Sequence, residues 1–184
     1  MKKQESDPSI TPSYSGPGRE VFSSTRTGFD DIGIDCRAMF LMRDRLKRCI
    51  GSLAMHMTRK EKKNKQGSDP RDDLLVFSTS ENCMLRTRYD RTIGELSAGF
   101  GRNDIYFGIF EEMFLPKNIE QISRFIGISA KPELSKVKVN SATASVAISE
   151  DSRAAVAEHY REVYEYMADF MPQTRELWGG FKYL

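Results

Sequence analysis

The side chains in this sequence best suited to bind a ligand are positively charged and lie close together. Arg43, Arg45, Lys47 and Arg48 surround the point where a short apolar run gives way to a helical pattern. The start of a helix is already positive, because its first backbone N–H groups are unpaired and its dipole places positive charge there. Cations at that end cost stability unless an anion is bound, so this cluster predicts a phosphate site.

Two elements position these side chains. The apolar run Ala38–Met42 is too short for a helix and is bounded by charge, which predicts a strand buried on both faces, as in parallel sheets. Beyond Asp44 the apolar residues recur at spacings of four, three and four, which predicts an amphipathic helix. Its apolar face consists of Leu46, Ile50, Leu53 and Met57.

This strand and helix resemble a segment of the sulfotransferases that use 3′-phosphoadenosine 5′-phosphosulfate (PAPS). In that family a buried strand is followed by Arg-Asp-Pro, an Arg three residues after the Pro, and a Ser about three residues further on. The first Arg and the Ser hold the 3′-phosphate of the cofactor. Arg43, Asp44 and Arg48 match the motif, so the resemblance implies that PAPS or its product, adenosine 3′,5′-bisphosphate, binds at Arg43, with Arg48 beside it.

Two positions depart from the family pattern. Arg45 stands where the family has Pro, and Gly51 stands where it has Ser, with Ser52 one residue later. A helix turns by about 100° per residue, so Ser52 points in a different direction from the family's Ser unless the turn shifts. Ser52 remains the candidate hydroxyl ligand of the 3′-phosphate.

A second pair of candidate cofactor ligands lies on a helix predicted from Cys83 to Phe100. Arg88 and Tyr89 belong to the segment LRTRYDRTI, which resembles a family element near the cofactor or the acceptor. A guanidinium forks well onto phosphate, and the Tyr89 hydroxyl could reach one. The alternative for Arg88 is a position on a solvent-exposed helix face. The alternative for Tyr89 is a position in the core with its hydroxyl in contact with water.

The middle of the chain extends the resemblance. A strand predicted over Asp104–Phe110 leads to the acidic pair Glu111 and Glu112, and a helix opened by Pro116 ends at Gly127. The family has an acidic pair and a Pro-started helix in the same order. Adjacent residues at a strand end point to opposite sides, so we expect the pair to be structural rather than a general base.

The remaining family-like features are ITPSY at 10–14, KVNSAT at 138–143, and a last helix predicted from the Ser149 cap to Phe170. The resemblance covers 10–184 and corresponds to the C-terminal part of a sulfotransferase domain. It implies a three-layer, P-loop-NTPase-like α/β fold, with a partial parallel sheet flanked by helices. We expect 1–17, rich in Ser, Pro and Gly, to be a flexible segment and 18–184 to be the partial domain.

The family's phosphosulfate loop, catalytic base and leaving-group Lys lie upstream of the matched region, and the sequence contains no Gly-rich phosphate loop. We therefore expect a truncated sulfotransferase-family chain, inactive alone, whose intact relatives transfer a sulfuryl group to a hydroxyl or amine of a small-molecule or carbohydrate acceptor. The alternative is a non-catalytic nucleotide-binding or interaction module. A nucleotide-kinase-like protein is disfavoured because no P-loop is present. The incomplete sheet predicts self-association through an exposed edge.

The composition limits the class of protein, its compartment and its partners. Of the 184 residues, 39% are hydrophobic and 29% are charged, with a net charge of +2, as in ordinary globular proteins. No apolar run suggests a signal peptide or a membrane span, so we expect a cytoplasmic protein without a membrane partner. The basic run RKEKKNKQ lacks aromatic residues, which disfavours nucleic acid. Cys36, Cys49 and Cys83 lack metal-ligand spacing and are interpreted as buried thiols in a reducing compartment.

Overall fold

A computed structural model describes residues 31, 33, 35–62, 73–136 and 147–184. The chain separates into two compact units, one formed by 1–38 and 91–105 and the other by 39–90 and 106–184. The described residues form a mixed α/β structure that is mostly helical and contains a two-stranded parallel sheet. The segments 1–17, ITPSY and KVNSAT lie outside the described residues, so the predictions made for them stay predictions.

The elements are given in chain order. The strands are β1 (Ala38–Met42) and β2 (Ile105–Ile109). The helices are α1 (Arg45–Lys62), α2 (Leu74–Ser78), α3 (Glu81–Leu85), α4 (Tyr89–Gly99), α5 (Pro116–Ile126), α6 (Glu150–His159), α7 (Arg161–Phe170) and α8 (Thr174–Leu177). Short 3₁₀ turns cover Arg102–Asp104, Pro132–Lys136 and Gly179–Tyr183, the last of which we call the C-terminal turn.

The predicted first strand is confirmed with the same bounds, but its burial on both faces is not. Met42 is fully buried, whereas Met39 is 38% exposed. The pairing continues one residue past β2, through a hydrogen bond of 2.7 Å from the Phe110 N–H to the carbonyl of Met42 in β1. A Cβ atom at Gly108 would lie 2.7 Å from the Tyr106 ring and 2.8 Å from the end of the Leu41 side chain, so a larger residue there would require these side chains to shift.

Helix α1 confirms the predicted amphipathic helix. Leu46 and Leu53 are buried as expected, and Cys49 joins them on the buried face, while Ile50 and Met57 are only partly covered. Helix α1 packs against α2, α6 and the C-terminal turn. Trp178, which is 1% exposed, lies immediately before that turn and anchors it in the interior.

Two long helices predicted from the sequence are each broken. The helix predicted from Cys83 to Phe100 stops at Leu85 and restarts at Tyr89, and the helix predicted from Ser149 to Phe170 is interrupted at Tyr160. The two breaks meet, because the Thr87 hydroxyl donates to the Tyr160 hydroxyl across 3.0 Å. Neither break contains Gly or Pro, so the sequence offers no local signal for it.

The predicted helix ends are largely correct where local chemistry sets them. Helix α5 begins with Pro116 and ends at Gly127, whose φ of 77° lies in the left-handed region that favours glycine. Ser149 caps α6 by accepting a hydrogen bond from the Ser152 N–H. Helix α2 is capped by Asp73, through a bond from the Val76 N–H, and this cap was not predicted from the sequence.

Candidate functional site

The end of β1 and the start of α1 are built around a buried carboxylate. Asp44 is fully buried, and its Oδ1 accepts hydrogen bonds from the Tyr164 hydroxyl at 2.6 Å and from the Leu46 N–H at 3.1 Å. Its Oδ2 accepts a bond from the Gly180 N–H at 3.3 Å. Asp44 thus caps α1 and supplies the negative charge that the helix start favours. A bound phosphate would therefore lie beside this turn and not on the Leu46 N–H.

Glu111 connects this turn to the C-terminal turn. One carboxylate oxygen accepts from the Asp44 N–H and the other from the Trp178 indole N–H, each at 3.2 Å. The Glu112 carbonyl accepts from the Asn118 side chain at 2.8 Å. The hydrogen bonds of Glu111 therefore hold structure together, in line with the structural interpretation of the acidic pair.

Arg43 stands at the exit of β1, where the sequence analysis placed the phosphate ligand. Its guanidinium lies over the Phe110 ring, 4.9 Å from the ring centroid. Its Nε is enclosed and makes no hydrogen bond with the described residues. The side chain as a whole is only partly buried, so Arg43 combines an unsatisfied donor with access from solvent.

The structure gives Tyr89 and Arg88 other partners. Tyr89 is 1% exposed; its hydroxyl donates to the Arg43 carbonyl at 3.0 Å and accepts from the Arg43 N–H at 3.2 Å. Arg88 forks onto the Asp90 carboxylate, with contacts of 3.0 and 2.6 Å. Tyr89 therefore orients the Arg43 main chain, and a phosphate would have to compete with Asp90 for Arg88.

The solvent-facing side of α1 brings three predicted positions together. Arg48, Gly51 and Ser52 are all partly exposed, and positions three and four residues after Arg48 lie next to it on one helix face. The helix is regular through this stretch, so Ser52 stays one residue out of the family register. A Cβ atom at Gly51 would meet no atom within 4 Å, which leaves room there for the hydroxyl the family carries.

Arg45 is a site residue that the sequence analysis did not single out as a ligand. It is fully buried, and none of its three guanidinium nitrogens has a hydrogen-bond partner among the described residues. Its guanidinium lies 3.7 Å from the Tyr89 ring centroid and 5.2 Å from that of Tyr160. Burial lowers the pKa of Arg45 to about 10. The sequence analysis included Arg45 in the basic cluster, where it also stands in place of the family's Pro, but did not indicate that its side chain would be buried.

Two of the three thiols lie side by side near this arginine. The sulfur atoms of Cys49 in α1 and Cys83 in α3 are 3.6 Å apart, and both residues are buried. The hydrogen bond from Cys49 lowers the pKa of Cys83 to about 7, with further lowering from Tyr160, Arg48 and Arg45. The same hydrogen bond and burial raise the pKa of Cys49. The interpretation as buried free thiols is confirmed for Cys49 and Cys83, whereas Cys36 is a free thiol that is only partly buried.

Two surface clefts of the described chain lie elsewhere. One, of about 380 Å³, is lined by Arg161, Glu165, Arg175, Phe181 and Leu184. The other, of about 470 Å³, lies around Arg124 and Pro132. None of the predicted cofactor ligands lines either cleft. Within the described ranges no group of three His, Cys, Asp or Glu side chains could hold a metal, and no helix is long and apolar enough to cross a bilayer.

These observations define an α/β protein with a basic strand-to-helix turn whose helix start is neutralised internally. Comparison of the chain with protein-family models, with curated proteins and with solved structures finds no match. The proposed function therefore rests on the residues around Arg43.

Proposed function

We propose that the chain is a sulfotransferase-type protein that binds PAPS, or adenosine 3′,5′-bisphosphate, by its 3′-phosphate at the exit of β1. The single observation that carries this proposal is the Arg43 side chain at that exit, whose Nε has no hydrogen-bond partner among the described residues. An unmet buried donor costs about 1–3 kcal/mol. A doubly charged phosphate is the partner that guanidinium geometry favours most.

The exposed side of α1 supports the same proposal. Arg48 and Ser52 neighbour one another there, and together they offer a cation and a hydroxyl to the phosphate that Arg43 holds. Because Asp44 already caps the helix, binding would depend on these side chains and only weakly on the helix dipole. This dependence predicts that substitution of Arg43 or Arg48 weakens binding strongly.

Whether the chain also transfers the sulfuryl group is a separate matter. In-line transfer needs a base for the acceptor proton and cations for the charge that develops on the leaving oxygens. All four carboxylate oxygens of Asp44 and Glu111 accept hydrogen bonds, so neither is poised as a base next to Arg43. This observation favours the second candidate, a nucleotide-binding module without transfer activity.

Thermal unfolding with two nucleotides tests the binding proposal. At about a hundred times its dissociation constant, adenosine 3′,5′-bisphosphate should stabilise the fold by roughly 2.7 kcal/mol. Adenosine 5′-monophosphate, which lacks the 3′-phosphate, serves as the matched ligand and should have a much smaller effect. Equal shifts with the two nucleotides, or no shift with either, would refute a 3′-phosphate site.

Variants locate the site. Arg43→Gln should abolish the difference in thermal stabilisation between the two nucleotides, because it removes the positive charge and the paired N–H donors of the guanidinium. Arg59→Gln, at an exposed position further along α1, removes the same charge away from the site and should retain the difference. Transfer of labelled sulfate from PAPS to phenol or sugar hydroxyls, measured on the same preparation, distinguishes the sulfotransferase from the binding module.

A further inference from the structure

A pair of neighbouring thiols lies outside the set of proposed nucleotide ligands. Cys49 and Cys83 belong to different helices, yet their sulfur atoms are 3.6 Å apart. A disulfide bond requires about 2.05 Å, so a movement of about 1.5 Å would join them. Side-chain rotation and a small shift of one helix can supply that movement.

The element that carries Cys83 is short and weakly capped. Helix α3 has only five residues, and its cap residue, Ser80, makes no side-chain capping bond. Its neighbours Met84 and Leu85 are exposed, Leu85 by 71%. Cys83 itself is 9% exposed, whereas Cys49 is fully covered. A small oxidant therefore reaches Cys83 first.

Charge near the sulfurs favours an anion at Cys83. Arg45 lies one helical turn before Cys49 on the same face of α1, fully buried and without a hydrogen-bond partner among the described residues. A buried cation without a counter-charge is costly. A Cys83 thiolate that shares the Cys49 proton supplies negative charge close to it, and the pKa of Cys83, lowered to about 7 by that hydrogen bond, agrees with this arrangement.

We propose that Cys49 and Cys83 form a redox-active dithiol, in which Cys83 is the oxidant-sensing nucleophile and Cys49 the resolving thiol that closes a reversible disulfide between α1 and α3. The oxidant class is a peroxide. The proposal does not rest on nucleotide binding at Arg43.

The chemistry balances in two steps. The Cys83 thiolate attacks one oxygen of hydrogen peroxide, the O–O bond breaks, and a sulfenic acid and hydroxide form. The Cys49 sulfur then attacks the Cys83 sulfur, the S–O bond breaks, and the Cys49 proton leaves with the departing hydroxide as water. Two thiols and one peroxide thus yield one disulfide and two waters. An external dithiol reverses the change by exchange.

Oxidation of the folded full-length chain tests the proposal. The protein is treated with a small excess of hydrogen peroxide, blocked with an alkylating reagent and analysed by peptide mass mapping. We expect a Cys49–Cys83 linked peptide lighter by two hydrogens than the sum of its parts, with Cys36 alkylated. A dithiol should restore both thiols. If Cys36 is oxidised while the pair remains reduced, or if the link appears only after denaturation, the proposal fails.

Single variants separate the roles of the two sulfurs. In Cys36→Ser only the proposed pair remains, so the disulfide should still form and the product should migrate as a monomer without reductant. In Cys49→Ser the sulfenic acid on Cys83 should persist and be captured by a cyclic 1,3-diketone. In Cys83→Ser the Cys49 thiol should stay reduced. Capture on Cys49 instead of Cys83 would overturn the assignment of nucleophile.

The pH dependence of the oxidation rate distinguishes an activated thiol from one that is merely buried. The rate of thiol loss should rise with a midpoint near pH 7, since the pKa of Cys83 is lowered to about 7. An ordinary thiol has its midpoint near about 8.5. A midpoint at the ordinary value in the Cys36→Ser variant would show that Cys83 is not activated and would refute its role as the sensing nucleophile.

Discussion

Arg45 carries a positive charge into the interior without a hydrogen bond to any described residue. Its stacking on Tyr89, with Tyr160 farther away, returns about 2 kcal/mol or more, whereas each enclosed donor without a partner costs about 1–3 kcal/mol and more when it is charged. All three guanidinium nitrogens of Arg45 lack a partner among the described residues. The cost therefore exceeds the return. Arg45→Met keeps the length and removes the charge, so we expect it to raise the free energy of unfolding by about 1–3 kcal/mol, measured by urea denaturation at pH 7.

Arg45→Lys is the matched control for that substitution. It keeps a buried charge but loses the planar stacking on Tyr89, so it should lower the midpoint of urea denaturation. If Arg45→Met were instead as destabilising as Arg45→Lys, the guanidinium would contribute net stability. The cost of its donors without partners would then be smaller than the gain from stacking.

Substitutions of Gly51 test the nucleotide proposal, because Ser and Ala differ at this position by a single hydroxyl. Gly51→Ser places a hydroxyl where the sulfotransferase motif has one, in space that holds no other atom within 4 Å. Gly51→Ala is the control, because both side chains stabilise the helix relative to Gly but only Ser can bind phosphate. We expect Gly51→Ser to bind adenosine 3′,5′-bisphosphate about tenfold more tightly than Gly51→Ala, the equivalent of about 1.4 kcal/mol for one bond to a charged group.

Titration calorimetry measures that difference directly. Equal affinities of the Gly51→Ser and Gly51→Ala variants would show that the phosphate does not reach this face of α1.

Among the elements, the C-terminal turn has a specific tie to the start of α1. The Gly180 N–H donates to Asp44, and a methyl group at Gly180 would overlap the Tyr164 ring and hydroxyl. Tyr164 is fully buried and bonded to the same carboxylate, so it has little room to yield. We expect Gly180→Ala to destabilise the fold by about 1–3 kcal/mol, the usual cost of overpacking.

Gly179→Ala is the adjacent control. Its added methyl group would lie 3.7 Å from the Asp44 carboxylate, an ordinary contact, so the denaturation midpoint should change little. Parallel behaviour of the two variants would mean that the C-terminal turn is not docked on Tyr164 and Asp44 as described.

The elements that the sequence predicted are those set by local chemistry. The strand Ala38–Met42, helix α1 and the Pro116-to-Gly127 helix follow from apolar period, caps and a left-handed glycine. The breaks at Thr87 and Tyr160 do not, because the bond that joins them connects residues 73 positions apart. An interaction of that range leaves no trace in a local window.

The site was predictable to the same degree. The sequence indicated Arg43 at a strand exit and the basic face of α1. It did not indicate that Asp44 would fill the helix start, since its partners Tyr164 and Gly180 lie 120 and 136 residues away. The Cys49–Cys83 contact between two helices was equally hidden, because cysteine spacing alone does not reveal which sulfurs meet.

For the molecule as a whole, the buried phenols should set the alkaline limit of stability. Burial and the nearby Asp44 carboxylate raise the pKa of Tyr164, and burial raises the pKa of Tyr160. Both phenols stay protonated in the folded state above about pH 10, where unfolded phenols ionise. The folded state then binds more protons, so these groups contribute stability below pH 10 that is lost as the pH rises further.

Arg45 acts in the opposite direction over the same range. Its pKa is lowered to about 10 in the folded state, so the unfolded state binds the extra proton from about pH 10 up to about 12.5. This linkage makes stability rise with pH and offsets one of the two phenols. The net effect of the three groups is a loss of stability with increasing pH.

Tyr164→Phe should therefore change the slope of stability against pH as well as its level. Removing one phenol that stays protonated should make the alkaline limb of the variant shallower than that of the wild type by about 1.4 kcal/mol per pH unit. Urea denaturation between pH 8 and about pH 11 measures both curves. Loss of the hydrogen bond to Asp44 lowers the free energy of unfolding of the variant at every pH. Only loss of the phenol's titration changes the slope of that free energy against pH. Parallel curves would show that the Tyr164 hydroxyl titrates as an exposed one does.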